Sequence, residues 1–136
     1  MTARLASLVV IAYAAMLCAV GALGIAAARW ELAHVFHFPV DVWPHDVRAT
    51  FLNQYRFMKA IELGAGVACL VSRRAILAGG HAGWLFLLLV AGGAIARGVA
   101  WIADGTPALA FQIFLALEVL VFAATLAHLR ARPEHA

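Results

Sequence analysis

The sequence predicts an all-α integral membrane protein, an antiparallel bundle of four helices formed by a single polytopic domain, residues 1–136. Two observations carry this prediction. The chain is 65% hydrophobic and only 12% charged, a balance that ordinary soluble domains do not have. Its apolar residues also cluster in runs of about 20 or more, the length that crosses a hydrocarbon core of about 30 Å. We expect spans at residues 4–28, 50–72, 82–103 and 107–129.

The first predicted span, residues 4–28, starts like a signal peptide, with one arginine ahead of an apolar run. That run is about twice as long as the hydrophobic region of a signal peptide, so we expect a retained span. Gly21 and Gly24 leave room for a close helix contact. Arg29 and Trp30 form an interfacial pair, and we expect the span to end there.

Residues 30–49 form the longest connection, in which aromatic residues alternate with histidines and aspartates, and prolines interrupt regular structure. This mixture favours an interfacial loop in the headgroup layer on the non-cytoplasmic side. His34 and His37 are candidate metal ligands because they lie one helical turn apart, although their spacing matches no recognised zinc motif. The alternative is that these histidines bind water and lipid headgroups. We predict no metal and no other cofactor.

The second predicted span is the most informative stretch, because it carries Arg56, Lys59 and Glu62 well inside an apolar sequence. A charge near the bilayer centre costs at least about 2.5–3.5 kcal/mol. These charges are therefore tolerable only on a face that meets protein or water. At 100° per residue one stripe contains Tyr55, Lys59, Glu62, Leu63 and Gly66. Lys59 and Glu62 are also i,i+3 neighbours, so they can form an ion pair within the helix.

The third and fourth predicted spans add Arg97 and Glu118 to these charges. The turn at Asp104-Gly105-Thr106-Pro107 lies between the two spans, and we expect Thr106 to cap the fourth helix with Pro107 at its first position. The helical rise of about 1.5 Å per residue places all five charges between the midplane and the outer half of the bilayer. Three cations then face two carboxylates. The surplus charge needs a neutral Lys59, Asp104 drawn inward, or an anionic group from a lipid, a ligand or a partner protein.

The candidate site residues are those in or around this charge layer. They have in common a charge or a hydrogen-bonding group at one predicted depth, and they are Asn53, Tyr55, Arg56, Lys59, Glu62, Arg97 and Glu118. Their first interpretation is structural, since buried polar groups can hold helices in register. The second is a site that binds or passes a ligand.

Basic residues predict the topology. Five arginines fall on one side of the predicted spans and two on the other, which places both termini in the cytoplasm. The basic residues form no surface run, so nucleic-acid binding is disfavoured. No nucleophile and base fall at one depth, and no Gly-rich phosphate loop is present, so we do not expect an enzyme.

Several short motifs of this sequence resemble those of a family of small bacterial four-helix membrane proteins known as domain of unknown function 4345. They are Asn53-Gln54-Tyr55-Arg56-Phe57, Ala60 to Gly64, Ala96-Arg97, Asp104 to Pro107 and Glu118, in that order. The likeness covers about residues 50–130 and does not extend to residues 30–49. The resemblance implies a four-helix membrane fold and a location in the bacterial inner (cytoplasmic) membrane, and it implies no particular activity. A looser likeness to DoxX-type proteins is an analogy in size and helix count.

These observations favour a structural, accessory subunit of a larger membrane protein complex. Its partners would be other integral membrane proteins and lipids, and a homo-oligomer remains open. The alternative is a protein that binds or transports a small anionic or amphipathic ligand of the quinone or lipid type.

Overall fold

The computed structural model describes residues 3–131. Within this range the chain forms five α-helices: α1 (Ala3–Ala26), α2 (Ala28–His34), α3 (His45–Ala78), α4 (Gly80–Asp104) and α5 (Leu109–Arg130). A short 3-10 helix at Val40–Val42 lies between α2 and α3. Three described segments are long and apolar enough to cross a membrane, namely Arg4–Ala26, Gly80–Asp104 and Leu109–Arg130. The all-α class is confirmed and a membrane protein is indicated, whereas the predicted count of four helices is not confirmed.

Helix α3 contains the predicted second span but is longer, with 34 residues from His45 to Ala78. It begins directly after Pro44. Because proline has no backbone N–H group, a helix that ran through Pro44 would lose one of its hydrogen bonds. Arg56, Lys59 and Glu62 in its centre distinguish it from the three apolar segments. Whether α3 spans the membrane therefore depends on how those charges are satisfied.

The first predicted span is interrupted near its end. Helix α1 stops at Ala26 because Ala27 leaves the helical conformation, with φ −124° and ψ 36°, and α2 starts at Ala28. The predicted loop at residues 30–49 is thus helical at both ends, in residues 30–34 and 45–49. Leu32, Phe36 and Val40 are buried, so this connection packs apolar side chains. Its location in the headgroup layer stays a prediction.

The prediction for the start of the fourth helix was wrong. Helix α5 begins at Leu109, and neither Thr106 nor Pro107 is helical. The chain is still extended at Ala108, with φ −53° and ψ 148°. The carbonyl of Pro107 accepts a hydrogen bond from the Gln112 side chain at 2.9 Å. Gly105, with φ 93°, adopts the left-handed conformation that ends α4.

By its contacts, the described chain divides into two compact units. One consists of residues 14–67, and the other of residues 3–13 together with residues 68–131. Helices α1 and α3 each contribute residues to both units, whereas α4 and α5 belong to one. The single polytopic domain stays a prediction.

In residues 14–67, glycines bring α1 and α3 into backbone contact. A Cβ atom on Gly21 would lie 2.6 Å from the amide nitrogen of Leu63, and one on Gly66 would lie 2.8 Å from the carbonyl oxygen of Ala14. Neither position has room for a side chain. The small residues therefore set how closely these two helices approach, as the sequence predicted for Gly21.

In the other unit, α4 packs against α5. The Tyr13 ring meets the Phe86 ring edge-on, with centroids 6.2 Å apart. Gly83 lets α4 approach both the carbonyl of Ile76 and the side chain of Leu129, because a Cβ there would lie 3.0 Å from each. Aromatic and small residues thus alternate in this apolar core.

Two glycines on α3 provide a test of this packing. We expect Gly66→Ala to destabilise the protein by about 1–3 kcal/mol, because the added methyl group overpacks the α1 contact. Gly64 is the matched control, since nothing lies within 4 Å of a Cβ at that position. There, alanine should stabilise the helix by about 0.5–1 kcal/mol. Chemical unfolding in detergent micelles measures both, and effects of the same sign would contradict the assigned contact.

Candidate functional site

The predicted site residues fall into both units. Asn53, Tyr55, Arg56, Lys59 and Glu62 belong to residues 14–67, whereas Arg97 and Glu118 belong to the other unit. Each unit contains one group of ion-paired side chains. That all five charges share one membrane layer stays a prediction.

The first ion-pair group centres on Lys59, whose side chain is only 9% exposed. Its Nζ donates to Oε2 of Glu62 at 2.9 Å. The same Nζ lies 3.5 Å from Oε1 of Glu31, whose side chain is 3% exposed. Lys59 therefore lies between two carboxylates, one from its own helix α3 and one from α2. The ion pair predicted between Lys59 and Glu62 is confirmed.

Gly24 on α1 makes room for this group. A Cβ at Gly24 would collide with the aliphatic chain of Lys59, and it would lie 2.7 Å from Oε2 of Glu31. The lysine stem thus occupies the space that a side chain on α1 would fill. Because apolar methylene groups pack against α1 while the ammonium group reaches the carboxylates, Lys59 can be buried without losing its ion pairs.

Tyr55 covers the same group one helical turn before Lys59. It is buried, and its ring centroid lies 5.4 Å from the Lys59 ammonium group, within the range of a cation–π interaction. Its phenol interacts electrostatically with Glu31 and Glu62. Two buried atoms of this group, Oε2 of Glu31 and the hydroxyl oxygen of Tyr55, have no hydrogen-bond partner among the described residues.

Arg56 and Asn53 lie outside the buried group. Both are exposed, and Arg56 donates from Nε to the carbonyl of Ile25 on α1 at 3.3 Å. This hydrogen bond joins α3 to the last turn of α1 through a backbone carbonyl group. Arg56 has no carboxylate partner in the described chain.

Glu31 is the buried charged residue of this group that the sequence analysis missed. The sequence analysis placed Glu31 in a connecting loop. In the structure it lies on α2 and is only 2% exposed, like its buried helix neighbours Ala28 and Leu32. With Glu31 included, the three cations are matched in number by three carboxylates, but Arg56 forms no ion pair with any of them in the described chain. The predicted need for a further anionic group therefore stays a prediction. Two signals pointed to Glu31: the unexplained surplus itself, and the i, i+3, i+4 spacing of Ala28, Glu31 and Leu32, which indicates one helix face.

The second ion-pair group joins α4 to α5. Nε of Arg97 lies 3.2 Å and 3.1 Å from the two carboxylate oxygens of Glu118. The Arg97 guanidinium also lies 5.7 Å from the Phe111 ring centroid and 5.2 Å from that of Phe114. Gly93 admits the carboxylate, because a Cβ there would lie 2.8 Å from Oε1 of Glu118. The group thus combines an ion pair with two cation–π contacts.

The candidate metal ligands His34 and His37 lie at the end of α2 and in the residues that follow it. Nδ1 of His34 donates to the carbonyl of Trp30 at 2.9 Å, and the two rings stack with centroids 5.3 Å apart. His37 is exposed and has a positive φ of 59°. Within residues 3–131, no three His, Cys, Asp or Glu side chains are grouped so that they could hold a metal ion.

The pair of Arg97 and Glu118 can be tested by a double-mutant cycle. We expect Arg97→Gln and Glu118→Gln each to destabilise the protein by about 2–4 kcal/mol, because each leaves a largely buried charge without its partner. The double variant should cost less than the sum, with a coupling of more than about 1 kcal/mol. Arg56→Gln, at an exposed arginine, is the control and should cost about 0.5 kcal/mol or less. Strict additivity in unfolding experiments would exclude the ion pair.

Comparison with known proteins places this arrangement in a family. The family model of DUF4345, described as a domain of unknown function, matches residues 5–129. The match includes both ion-pair groups and also residues 30–49, to which the sequence resemblance did not extend. No curated protein and no solved structure matches the chain. Because the matched region is nearly the whole sequence, the chain belongs to the DUF4345 family.

Proposed function

We propose that the protein is a structural, accessory subunit of a larger membrane protein complex in the bacterial cytoplasmic membrane. It would have no catalytic activity of its own, and its partners would be other integral membrane proteins and lipids. The observation that carries this proposal is an exposed stripe of small residues on α4, formed by Gly92, Ala96 and Ala100. We refer to these three residues as the α4 stripe.

The α4 stripe has the spacing that favours helix–helix contact in membranes. Its residues are four apart, and such small-xxx-small patterns let two backbones approach closely. A Cβ at Gly92 would meet nothing within 4 Å, so this glycine is not needed for packing within the described chain. On a helix Gly92 lies about 200° around from the buried Val90. The stripe thus lies away from the buried face of α4.

Large apolar residues border the α4 stripe. Leu88, Ile95 and Val99 are all exposed, and at 100° per residue they form a ridge along one side of the stripe. We refer to the step from this ridge down to the small residues as the groove. Lipid tails are as apolar as these side chains, so membrane helices associate through close packing instead of hydrophobicity. A groove floored by small residues therefore fits a partner helix, either from another protein or from a second copy of this chain.

The charge balance supports a structural role for the ion pairs. Lys59 meets carboxylates from α2 and α3, and Arg97 of α4 meets Glu118 of α5. Each group joins different helices, so it can specify which faces meet. Glu31 adds a third carboxylate that pairs with Lys59, whereas Arg56 has no carboxylate partner in the described chain. An anionic group that meets Arg56 therefore stays a prediction.

We further propose that α3 is a fourth membrane span. Its charged residues Lys59 and Glu62 are ion-paired, which lowers the cost of placing them in a bilayer. Its exposed residues include an apolar set that suits lipid, namely Phe57, Met58, Ile61, Val67 and Val71. An even number of spans returns both termini to one side, the cytoplasm, as the arginine distribution predicts.

A second candidate function is the binding of a quinone or lipid. An apolar groove of about 370 Å³ lies along α4 and α5, lined by Trp84, Leu87, Leu88, Ala91 and Phe122. Its volume is within the range of small-molecule sites, and its lining suits an acyl or isoprenoid chain. The few polar groups that orient a head group in such sites are absent from this lining, so we rank this function second.

The α4 stripe gives the test of the accessory role. We expect the wild-type protein to migrate in a complex when native membranes are solubilised in mild detergent. Gly92→Leu combined with Ala96→Leu should release it as a folded monomer, because the leucines fill the groove without a clash at Gly92 inside the chain. Ile95→Leu is the matched control, since it keeps a large residue on the ridge and should keep the complex. Native mass spectrometry measures all three.

Two results would contradict this proposal. One is a wild-type protein that is monomeric in native mass spectra from mild detergent. The other is a complex of unchanged mass in the Gly92→Leu, Ala96→Leu variant. The mass of the wild-type complex also distinguishes a second copy of this chain from a different partner.

A further inference from the structure

Arg56 is a charged residue of α3 that no carboxylate of the described chain neutralises. The carboxylates of Glu31 and Glu62 both pair with Lys59. Arg56 is exposed, and within residues 3–131 it donates from Nε to the carbonyl oxygen of Ile25 at 3.3 Å. A guanidinium group has five N–H donors. Both terminal nitrogens of Arg56 therefore remain available for an anion.

The contact with Ile25 fixes the depth of this guanidinium. Ile25 lies in the last turn of Arg4–Ala26, a segment long and apolar enough to cross a membrane. One turn earlier on α1, Gly21 meets α3 at Leu63. The contacts thus move toward the end of α1 as α3 is followed back to Arg56. The guanidinium therefore lies level with the end of an apolar span, where the lipid head groups begin.

Asn53 lies next to Arg56 on the side of the head groups. The two residues are three apart on α3, so they are neighbours on the helix surface. Side chains of a helix lean toward its N-terminus, which brings the Arg56 side chain toward Asn53. Asn53 is exposed and has no hydrogen-bond partner in the described part of the chain. Its amide group therefore adds a second donor beside the guanidinium.

On the other side of Arg56, toward the middle of the apolar span, α3 offers a path for an acyl chain. Ala60 and Gly64 follow at spacings that keep them on nearly the same side of the helix. Both are exposed, and a Cβ at Gly64 would meet nothing within 4 Å. The exposed side chains of Phe57 and Ile61 border these small residues. A molecule with a phosphate at one end and an apolar chain at the other fits this surface.

We propose that Arg56 and Asn53 bind the phosphate group of an anionic phospholipid. The terminal nitrogens of Arg56 donate to the two non-bridging phosphate oxygens, and the Asn53 amide donates to one of them. An acyl chain of the same lipid lies over Ala60 and Gly64. A guanidinium group suits this role because its planar fork donates two parallel hydrogen bonds to a phosphate.

A second arginine favours a lipid with a net negative charge. Arg29 follows Ile25 by four residues, is exposed and has no ion pair among the residues that the structure describes. Phosphatidylcholine carries the same phosphate, but two arginines without a counter-charge at this end of α1 repel its quaternary ammonium group. Phosphatidylglycerol carries the phosphate without a cation and is therefore the better ligand.

A carboxylate of a partner protein is the competing anion, because Ala60 and Gly64 would also admit a partner helix. The position of Arg56 at the end of the apolar span favours the lipid. Phosphates surround the protein at this level of the membrane, whereas a partner would have to place a carboxylate at one particular point.

The inference rests on the proposed membrane location and on lipids as partners, but not on a protein partner. Its test changes α3 and measures bound lipid. The test of the accessory role changes α4 and measures the mass of a protein complex. Failure of either proposal is therefore distinguishable from failure of the other.

Native mass spectrometry of the full-length protein with added phosphatidylglycerol or phosphatidylcholine tests the site. We expect one phosphatidylglycerol to bind about fivefold more tightly than phosphatidylcholine. Arg56→Gln should weaken phosphatidylglycerol binding about tenfold or more, because charge-assisted hydrogen bonds are lost, and Asn53→Ala about fivefold. Arg74→Gln is the matched control. It removes the same charge from an exposed arginine about five turns further along the same face of α3, and it should leave this binding unchanged.

Two further measurements separate a lipid from a free anion and a lost site from a folding defect. An excess of inorganic phosphate should not displace the lipid, because the acyl chain also contributes to binding. Without lipid, Arg56→Gln should keep the wild-type midpoint of thermal unfolding in detergent. Added phosphatidylglycerol should raise the midpoint of the wild type more than that of Arg56→Gln.

Three results would overturn the proposal. One is a loss of phosphatidylglycerol that is absent in Arg56→Gln or equally large in Arg74→Gln. Another is displacement of the lipid by inorganic phosphate, which would assign the site to a free anion. The third is a wild type without bound lipid whose protein complex dissociates in Arg56→Gln, which would identify a partner's carboxylate as the anion.

Discussion

The buried ammonium group of Lys59 constrains the packing of residues 14–67. An ion removed from water must be compensated by nearby opposite charge and hydrogen bonds, or it destabilises the fold by several kcal/mol. Here that requirement brings together a carboxylate of α3 and one of α2, and it requires a glycine at position 24 of α1, where the lysine stem passes. The short helix α2 then has a clear role, because it carries Glu31 to the ammonium group.

In the unit that contains α4 and α5, a positive charge is compensated in a different way. Arg97 is partly exposed, and its guanidinium is held by one carboxylate and two aromatic rings. A planar guanidinium is more weakly hydrated than an ammonium group and stacks on aromatic faces, so it tolerates this setting with fewer ionic partners. Lysine and arginine are therefore not interchangeable between the two groups, although both sit in helices with apolar surroundings.

Sequence patterns were sufficient to predict interactions between residues that are close together in the sequence. The period of α3 identified the face that carries Tyr55, Lys59 and Gly66, and the i,i+3 spacing identified the pair of Lys59 and Glu62. The same patterns did not predict the contacts and helix ends that depend on how the chain turns between helices. Nothing in the local composition of residues 30–49 indicates that Glu31 returns to α3, because that contact depends on the break at Ala27. The late start of α5 at Leu109 was likewise not predicted; there the Gln112 side chain donates a hydrogen bond to the carbonyl of Pro107.

The central claim is that the buried charges of these helices are compensated inside the protein. Solid-state magnetic resonance in bilayers tests it directly, by dipolar recoupling of the Lys59 ammonium nitrogen with the carboxylate carbons of Glu31 and Glu62 and with lipid phosphorus. Our account predicts strong coupling to both carboxylates and none to phosphorus. Coupling to lipid phosphorus without coupling to Glu31 would contradict it.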